Sequence, residues 1–342
     1  MRFPFIAALL LLATTASVTA GPVVSSASRN VALGGTPLFG VNLSGCEFVD
    51  NGALCPTPAT VRMYLAKGFR VFRLPFRGTQ ANDPVVIAKM KAAADAAAAG
   101  GGYIILDRHD YGATFDPTLA IWWGSLIKNF PDSDHVMIDT MNEPKIGAPY
   151  ERNVSGISYA TQVNAAIAAF RQQGFRHRLL IEWRGWSGMQ SFDKYEPDGA
   201  PCKSAACSFD RAGGLKDPLG RTMLSGHRYP DLWGSGTEAA CVADQTGAQL
   251  LANAENGAAK RGLKIWIGEF AFGNAKGISA ACNAIGRSVI ERIRSRSDVY
   301  AGVSWWGGGP GWKEDYIYKI EPPKGTFPTT PDSAYLKMLS GK

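Results

Sequence analysis

Several things are scarce or missing in this chain, and each absence removes a class of function. There is no Cys-x-x-Cys, and the four histidines lie far from the six cysteines, so a structural zinc site lacks a ligand set. No dense Lys/Arg run occurs; 36 basic residues against 29 acidic leave a net charge of +7 that is scattered, which argues against a nucleic-acid partner. No glycine-rich phosphate loop, cofactor motif or internal repeat is visible, so no cofactor is expected. No Pro/Thr/Ser-rich linker tethers a second module. Beyond the first twenty residues no apolar run is long enough to cross a bilayer.

What is present begins with an export signal. Arg2 supplies a short positive end, Phe5 to Leu12 an apolar stretch, and Val18 to Ala20 a small-residue cleavage site before Gly21. Residues 1–20 read as a signal peptide, 21–30 as a flexible lead-in, and 31–342 as one catalytic-sized domain, leaving a secreted protein without a membrane anchor. Six cysteines in an exported chain favour disulfides. Fifteen pairings are open; Cys46 with Cys55 and Cys202 with Cys207 need only short loops, which leaves Cys241 with Cys282. Nine tryptophans offer flat apolar faces of the kind on which sugar rings stack, although most should be core residues.

Short β-rich runs alternate with helical patterns, the mark of parallel βα units. Strands are predicted at Leu38–Asn42, Arg70–Leu74, Tyr103–Asp107, Val136–Thr140, Leu179–Trp183, Met223–His227, Lys264–Gly268 and Val303–Trp306. Helices are predicted at Thr57–Lys67, Pro84–Ala99, Pro117–Asn129, Ser158–Gln173, Thr246–Arg261 and Ile278–Arg296. Eight such strands make a single-domain (β/α)8 TIM barrel the expected fold. That fold demands chemistry at the C-terminal strand ends, and the unusual polar residues fall there. Arg73 ends strand two, His109 follows strand three, and Asn142 and Glu143 follow strand four. His227 and Tyr229 follow strand six, Glu269 strand seven, and Trp305 and Trp306 end strand eight.

Two glutamates at strand ends four and seven face each other across a barrel mouth. Retaining glycoside hydrolysis needs such a pair, roughly 5–5.5 Å apart, one protonating the leaving oxygen and one attacking the anomeric carbon. Glu143 is read as the acid/base and Glu269 as the nucleophile. Arg73 is expected beside Glu269, with pairing to Asp107 as its structural alternative. Tyr229 would orient the nucleophile, Asn142 would bind the 2-hydroxyl, and His109 and His227 would serve as neutral donors or acceptors. Of the adjacent tryptophans only one can face the pocket, since side chains alternate along a strand; Trp306 is chosen.

At these residues the chain resembles glycoside hydrolase family 5, in its cellulase-like branch. The resemblance is carried by Gly40-Val-Asn-Leu-Ser-Gly45 with Glu47-Phe48, Phe72-Arg-Leu-Pro-Phe76, Leu106-Asp-Arg-His-Asp-Tyr-Gly112 and Met141-Asn-Glu-Pro144. Further matches are Trp186-Ser-Gly188, His227-Arg-Tyr229 with Gly234-Ser-Gly-Thr237 and Cys241-Val242, Ile267-Gly-Glu-Phe270, and Val303 to Pro310 followed by Asp315-Tyr-Ile317 and Glu321-Pro322. It implies the same roles for Glu143 and Glu269, with Arg73, His109, Asn142, His227, Tyr229 and Trp306 in support, and Trp186 and Trp305 are taken with them as substrate-binding candidates. The chain departs from the family pattern at Arg108 and Asp110 beside His109, at Arg184, in the segment through Trp233, and in the glycines of the eighth-strand loop, including Gly307, Gly309 and Gly311.

The expected activity is therefore an endo-β-1,4-glucanase acting by double displacement on cellulose or mixed-linkage β-glucan, as a monomer. The departures keep other retaining β-glycan hydrolases open, including β-mannanases and enzymes of oligosaccharides or exopolysaccharides. A non-catalytic carbohydrate-binding barrel would have lost one glutamate, and neither is lost. A metal-dependent hydrolase built on Asp107, His109 and His227 would lack its further ligands.

Overall fold

The computed structural model describes residues 33, 35–113, 116–151, 157–194, 200–321 and 332–340. The expected signal peptide, the lead-in and Pro322 lie outside them. Eight parallel strands close into a barrel in sequence order, each paired with its neighbours and the last with the first. They are β1 (Leu38–Leu43), β2 (Val71–Phe76), β3 (Tyr103–Arg108), β4 (Val136–Asp139), β5 (Arg178–Ile181), β6 (Thr222–His227), β7 (Ile265–Phe270) and β8 (Tyr300–Gly308). This is the (β/α)8 barrel the sequence predicts.

The helices are α1 (Pro58–Ala66), α2 (Pro84–Ala99), α3 (Pro117–Ile127), α4 (Tyr159–Gln172), α5 (Ala205–Arg211), α6 (Gly247–Lys260), α7 (Ala280–Ser295) and α8 (Ala334–Ser340). Their starts have local causes. Thr57, Asp83, Asp116, Ser158, Ser204, Thr246 and Ser279 each accept a backbone N–H of the first turn, and proline occupies the first helical position of α1, α2 and α3. The seven-residue helices α5 and α8 are absent from the sequence reading because two turns are too short to display a 3.6-residue period.

Two apolar regions hold the barrel. The larger lies between sheet and helices. The smaller fills the lower interior: Val71, Ile105, Met137, Leu180, Met223 and Trp266 touch one another there, with Leu33 and Ala301. Moving two residues along five of these strands keeps the same face and replaces each apolar side chain by Arg73, Asp107, Asp139, Glu182 or Ser225, all buried. The barrel interior is thus oily at its base and ionic at its mouth.

Cys46–Cys55, Cys202–Cys207 and Cys241–Cys282 are bonded, and no cysteine among the described residues is free. Of the two tryptophans on β8, the period of two settles the orientation. Ser304 faces inward, accepting the Trp266 indole N–H at 3.1 Å, and Trp306 follows it onto that face. Trp305 points the other way. Fully buried, it donates to the Tyr318 carbonyl at 2.9 Å and packs on Phe270, Phe272 and Tyr335. Its assignment as a sugar contact is corrected: it is a core residue.

Candidate active site

Arg73 is the hub of the mouth. Its guanidinium is fully buried and lies 3.0 Å from Asp139, 3.1 Å from Glu269, and 3.2 Å from both Asp107 and Glu182. It also donates to Asn42 at 3.0 Å and Asn142 at 2.7 Å. Both readings of Arg73 therefore hold at once, because five donors in a planar fork can serve several carboxylates. Burial, then the charge of Glu182, push the Asp139 carboxyl well above the usual range, against the pull of Arg73.

Glu269 reaches the pocket through an irregularity. Strict alternation from Trp266, which faces the interior, would send residue 269 outward; the pairing of β7 with β8 shifts between Ile267 and Phe270, and the pairing of β6 with β7 shifts at His227. A bulge of this kind re-aims a side chain. Glu269 then accepts from Tyr229 Oη at 2.7 Å and from Arg73 Nη1 at 3.1 Å. Burial opposes its ionisation, but His227, Arg73, His109 and the Tyr229 hydroxyl outweigh it, holding the carboxyl below its ordinary value.

Glu143 follows β4 in a left-handed backbone conformation, φ 40°. For a non-glycine residue such geometry costs of order 1–3 kcal/mol and persists only where the surroundings enforce it. Its N–H is held by the Glu182 carboxylate at 2.6 Å, and its side chain meets His227 Nδ1 at 2.9 Å. Burial foremost, then the charges of Glu269 and Glu182, raise its carboxyl above the ordinary value, against the pull of His227. Single carboxylate oxygens of Glu143 and Glu269 lie within 4.8 Å of one another.

The two histidines expected as neutral donors or acceptors stand among carboxylates that favour their charged form. Burial disfavours charging either ring. For His109 the adjacent Asp107, at 2.7 Å, outweighs it and raises the imidazole to about 8. For His227 the neighbours Glu182, Glu269 and Glu143 raise it well above the usual range. Single side-chain atoms of Glu143, His227 and Glu269 lie within 4.8 Å of one another, a spacing that would also suit a cation.

An aromatic wall flanks this cluster. Trp306 stacks on His109 with ring centres 5.6 Å apart, and meets Trp312, which stacks on Tyr316 at 3.8 Å. On the other side His109 meets Tyr111, then Trp186, which is half exposed; the Lys145 ammonium lies over both rings. Tyr111, Trp312 and Tyr316 were not singled out in the sequence, since aromatic residues in loops carry no periodic signal. Glu182 and Asp139 were also missed, although an acidic residue ending an apolar strand run was there to be read. The departures at Arg108 and Asp110 form a local ion pair at 2.7 Å. In the eighth-strand loop, Gly309 adopts φ 90°, and a Cβ there would come within 2.3 Å of the Ser44 carbonyl oxygen, so only glycine fits.

A closed (β/α)8 barrel whose mouth opposes two carboxyls of divergent proton affinity, beside a wall of stacked rings, defines an O-glycosyl hydrolase. The family model described as "Cellulase (glycosyl hydrolase family 5)" matches residues 28–309, and the chain belongs to that family. An endo-beta-1,4-glucanase B of Aspergillus niger is 28% identical to it, over 94% of this chain and 96% of its own. Among solved structures, XacCel5A in complex with cellopentaose is 27% identical, with a TM-score of 0.76 over 90% of this chain and 99% of that one. A triple mutant of an endo-beta-1,4-glucanase from Xanthomonas axonopodis pv. citri is 26% identical, with a TM-score of 0.74 over 89% and 98%.

Proposed function

We propose that the chain is a retaining endo-β-1,4-glucanase of cellulose or mixed-linkage β-glucan, with Glu143 as acid/base and Glu269 as nucleophile. The observation that carries this reading is the pair of carboxylate oxygens within 4.8 Å, one carboxyl raised and the other lowered in proton affinity. Inverting enzymes need roughly 6.5–9.5 Å to admit a water between the two groups, whereas retaining ones need about 5–5.5 Å. Relatives named as endo-β-1,4-glucanases, and a structural neighbour bound to cellopentaose, support the β-1,4-glucan substrate.

In the first step the ionised Glu269 attacks the anomeric carbon as the C–O bond to the leaving sugar breaks, and the Glu143 proton goes to the departing oxygen. A water then attacks the glycosyl-enzyme, gives its proton to Glu143 and releases Glu269. Arg73 and Tyr229 keep the nucleophile ionised and aimed. Asn142, whose Oδ1 accepts from Arg73 and whose amide nitrogen also lies 3.5 Å from His109 Nε2, donates an N–H to the substrate 2-hydroxyl. Trp306 supplies the stacking floor, and Trp186 an outer platform. The disulfides suit an oxidising compartment, and we take the protein to be a secreted, single-domain monomer.

The test is hydrolysis of a panel of β-glucans, mannan and xylan by the purified protein and by Glu269→Gln. Expected are activity on β-1,4-glucan, initial products of retained anomeric configuration by NMR, and no measurable turnover by the variant. Glu143→Gln should lose about 10²–10⁴-fold on natural linkages and far less on activated aryl glycosides. Inverted products would overturn the mechanism, and inactivity on every glucan would overturn the substrate.

A further inference from the structure

Glu182 directly follows β5 and is fully buried. One oxygen accepts the Glu143 backbone N–H at 2.6 Å; the other lies 3.2 Å from Arg73 Nη2 and 3.1 Å from His227 Nε2, the latter an ion-pair contact without hydrogen-bond alignment. His227 in turn bonds the Glu143 side chain through Nδ1 at 2.9 Å. A ring closes: the Glu143 N–H, Glu182, His227, the Glu143 carboxyl. We propose that Glu182 is the positioning residue of the acid/base, holding Glu143 by its backbone directly and by its carboxyl through His227. The proposal rests on the assignment of Glu143 as acid/base.

The alternative is that Glu182 merely neutralises Arg73. Three observations weigh against it. Arg73 already lies against Asp107, Asp139 and Glu269, so it has no shortage of carboxylates. The shorter contact of Glu182 goes to Glu143, not to Arg73. And Glu143 has left the β4 ladder at φ 40°, where its N–H, facing the barrel mouth, has the Glu182 carboxylate as its partner. A charged acceptor on a backbone N–H is among the stronger protein hydrogen bonds, which suits the enforcement of a strained turn. The strand end is itself fixed, since the Tyr159 hydroxyl donates to the Glu182 carbonyl and the Thr140 hydroxyl to the Leu180 carbonyl. The negative charge of Glu182 also favours the protonated form of Glu143, alongside Glu269 from β7 and against His227 from β6.

The experiment compares wild type, Glu182→Gln, Glu182→Asp and Glu143→Gln on cellopentaose and on 2,4-dinitrophenyl β-cellobioside, whose leaving group needs no acid. For Glu182→Gln, kcat on cellopentaose should fall about 10–100-fold, part of what proton transfer contributes, with KM within about threefold and glycosylation by the aryl substrate reduced less than fivefold. The basic limb of kcat/KM on cellopentaose should move. Equal losses on both substrates with an unmoved basic limb would assign Glu182 to Arg73 and overturn the proposal. Should Glu182→Gln fail to fold, Glu182→Asp, which withdraws the carboxylate by one methylene, must show the same asymmetry at smaller size. If Glu143→Gln itself lacks the asymmetry, the acid/base assignment fails; if only the Glu182 variants lack it, only this inference does.

Discussion

The lower and upper halves of the barrel interior are built on the same strands, two residues apart, yet obey opposite rules. Below, Val71, Ile105, Met137, Leu180, Met223 and Trp266 form a dry apolar layer that stabilises by removing surface from water. Above, Arg73, Asp107, Asp139 and Glu182 are equally buried and can be tolerated only because each charge has a partner. The difference teaches that the base holds the cylinder and the mouth stores electrostatic organisation. The cost of desolvating the mouth is met by packing elsewhere.

The largest expected contrast comes from one substitution in each layer. Arg73→Met strands several carboxylates and removes the cation beside Glu269. It should cost about 3–5 kcal/mol of unfolding free energy together with at least about a hundredfold in kcat. Met137→Ala leaves a cavity and should cost about 2–5 kcal/mol, with kcat per folded molecule unchanged. Denaturant unfolding beside active-site-normalised kinetics reads both. A Met137→Ala enzyme as impaired in kcat as Arg73→Met would break the division between the layers.

Next in size are the two tryptophans of β8, neighbours in sequence on opposite faces. Trp305→Ala should destabilise by about 3–5 kcal/mol with normal catalysis in what remains folded. Trp306→Ala should lower kcat/KM about tenfold or more, the equivalent of about 1.4 kcal/mol of ring stacking, with little change in unfolding midpoint. Exchanged outcomes would mean that the period-two assignment of this strand is wrong.

The smallest effect is a pH dependence at the rim. Burial pushes the Glu47 carboxyl up from 4.5 to about 7, against the lowering influence of His109 and the Gly45 N–H. The folded chain then binds more protons than the unfolded chain between those values. The stability this group contributes is complete below pH 4.5 and is lost as the pH rises through 7, to at most about 3 kcal/mol. Glu47→Gln should flatten that slope in unfolding experiments run from pH 4.5 to 7.5; an unchanged slope would place its origin in another group.

Much of this was legible in the residues. The eight strands announced themselves by alternation with helices, and Glu143 and Glu269 by their position at strand ends four and seven. The helix starts were readable from Pro58, Pro84 and Pro117 and from the capping side chains before them. The three disulfides follow the short-loop pairing. Other features were not readable because they depend on neighbours from distant strands. The pull of His109 and His227 toward their charged forms comes from Asp107 on β3 and from Glu182, Glu143 and Glu269 beyond β5, β4 and within β7. Glu182 looked like a lone acidic residue until β5 brought it under the Glu143 turn.

Sequence alone determined which residues form strands, which face of each strand is apolar, and that two glutamates meet at one end of a barrel, since periodicity and strand order are local properties of the chain. Tertiary structure alone decided the bulge that turns Glu269 inward, the ring that Glu182 closes with His227 and Glu143, and the proton affinities that set the two carboxyls apart. Those depend on register and on distances between charges far apart in the chain, and electrostatic energy is set by separation and burial rather than by sequence order.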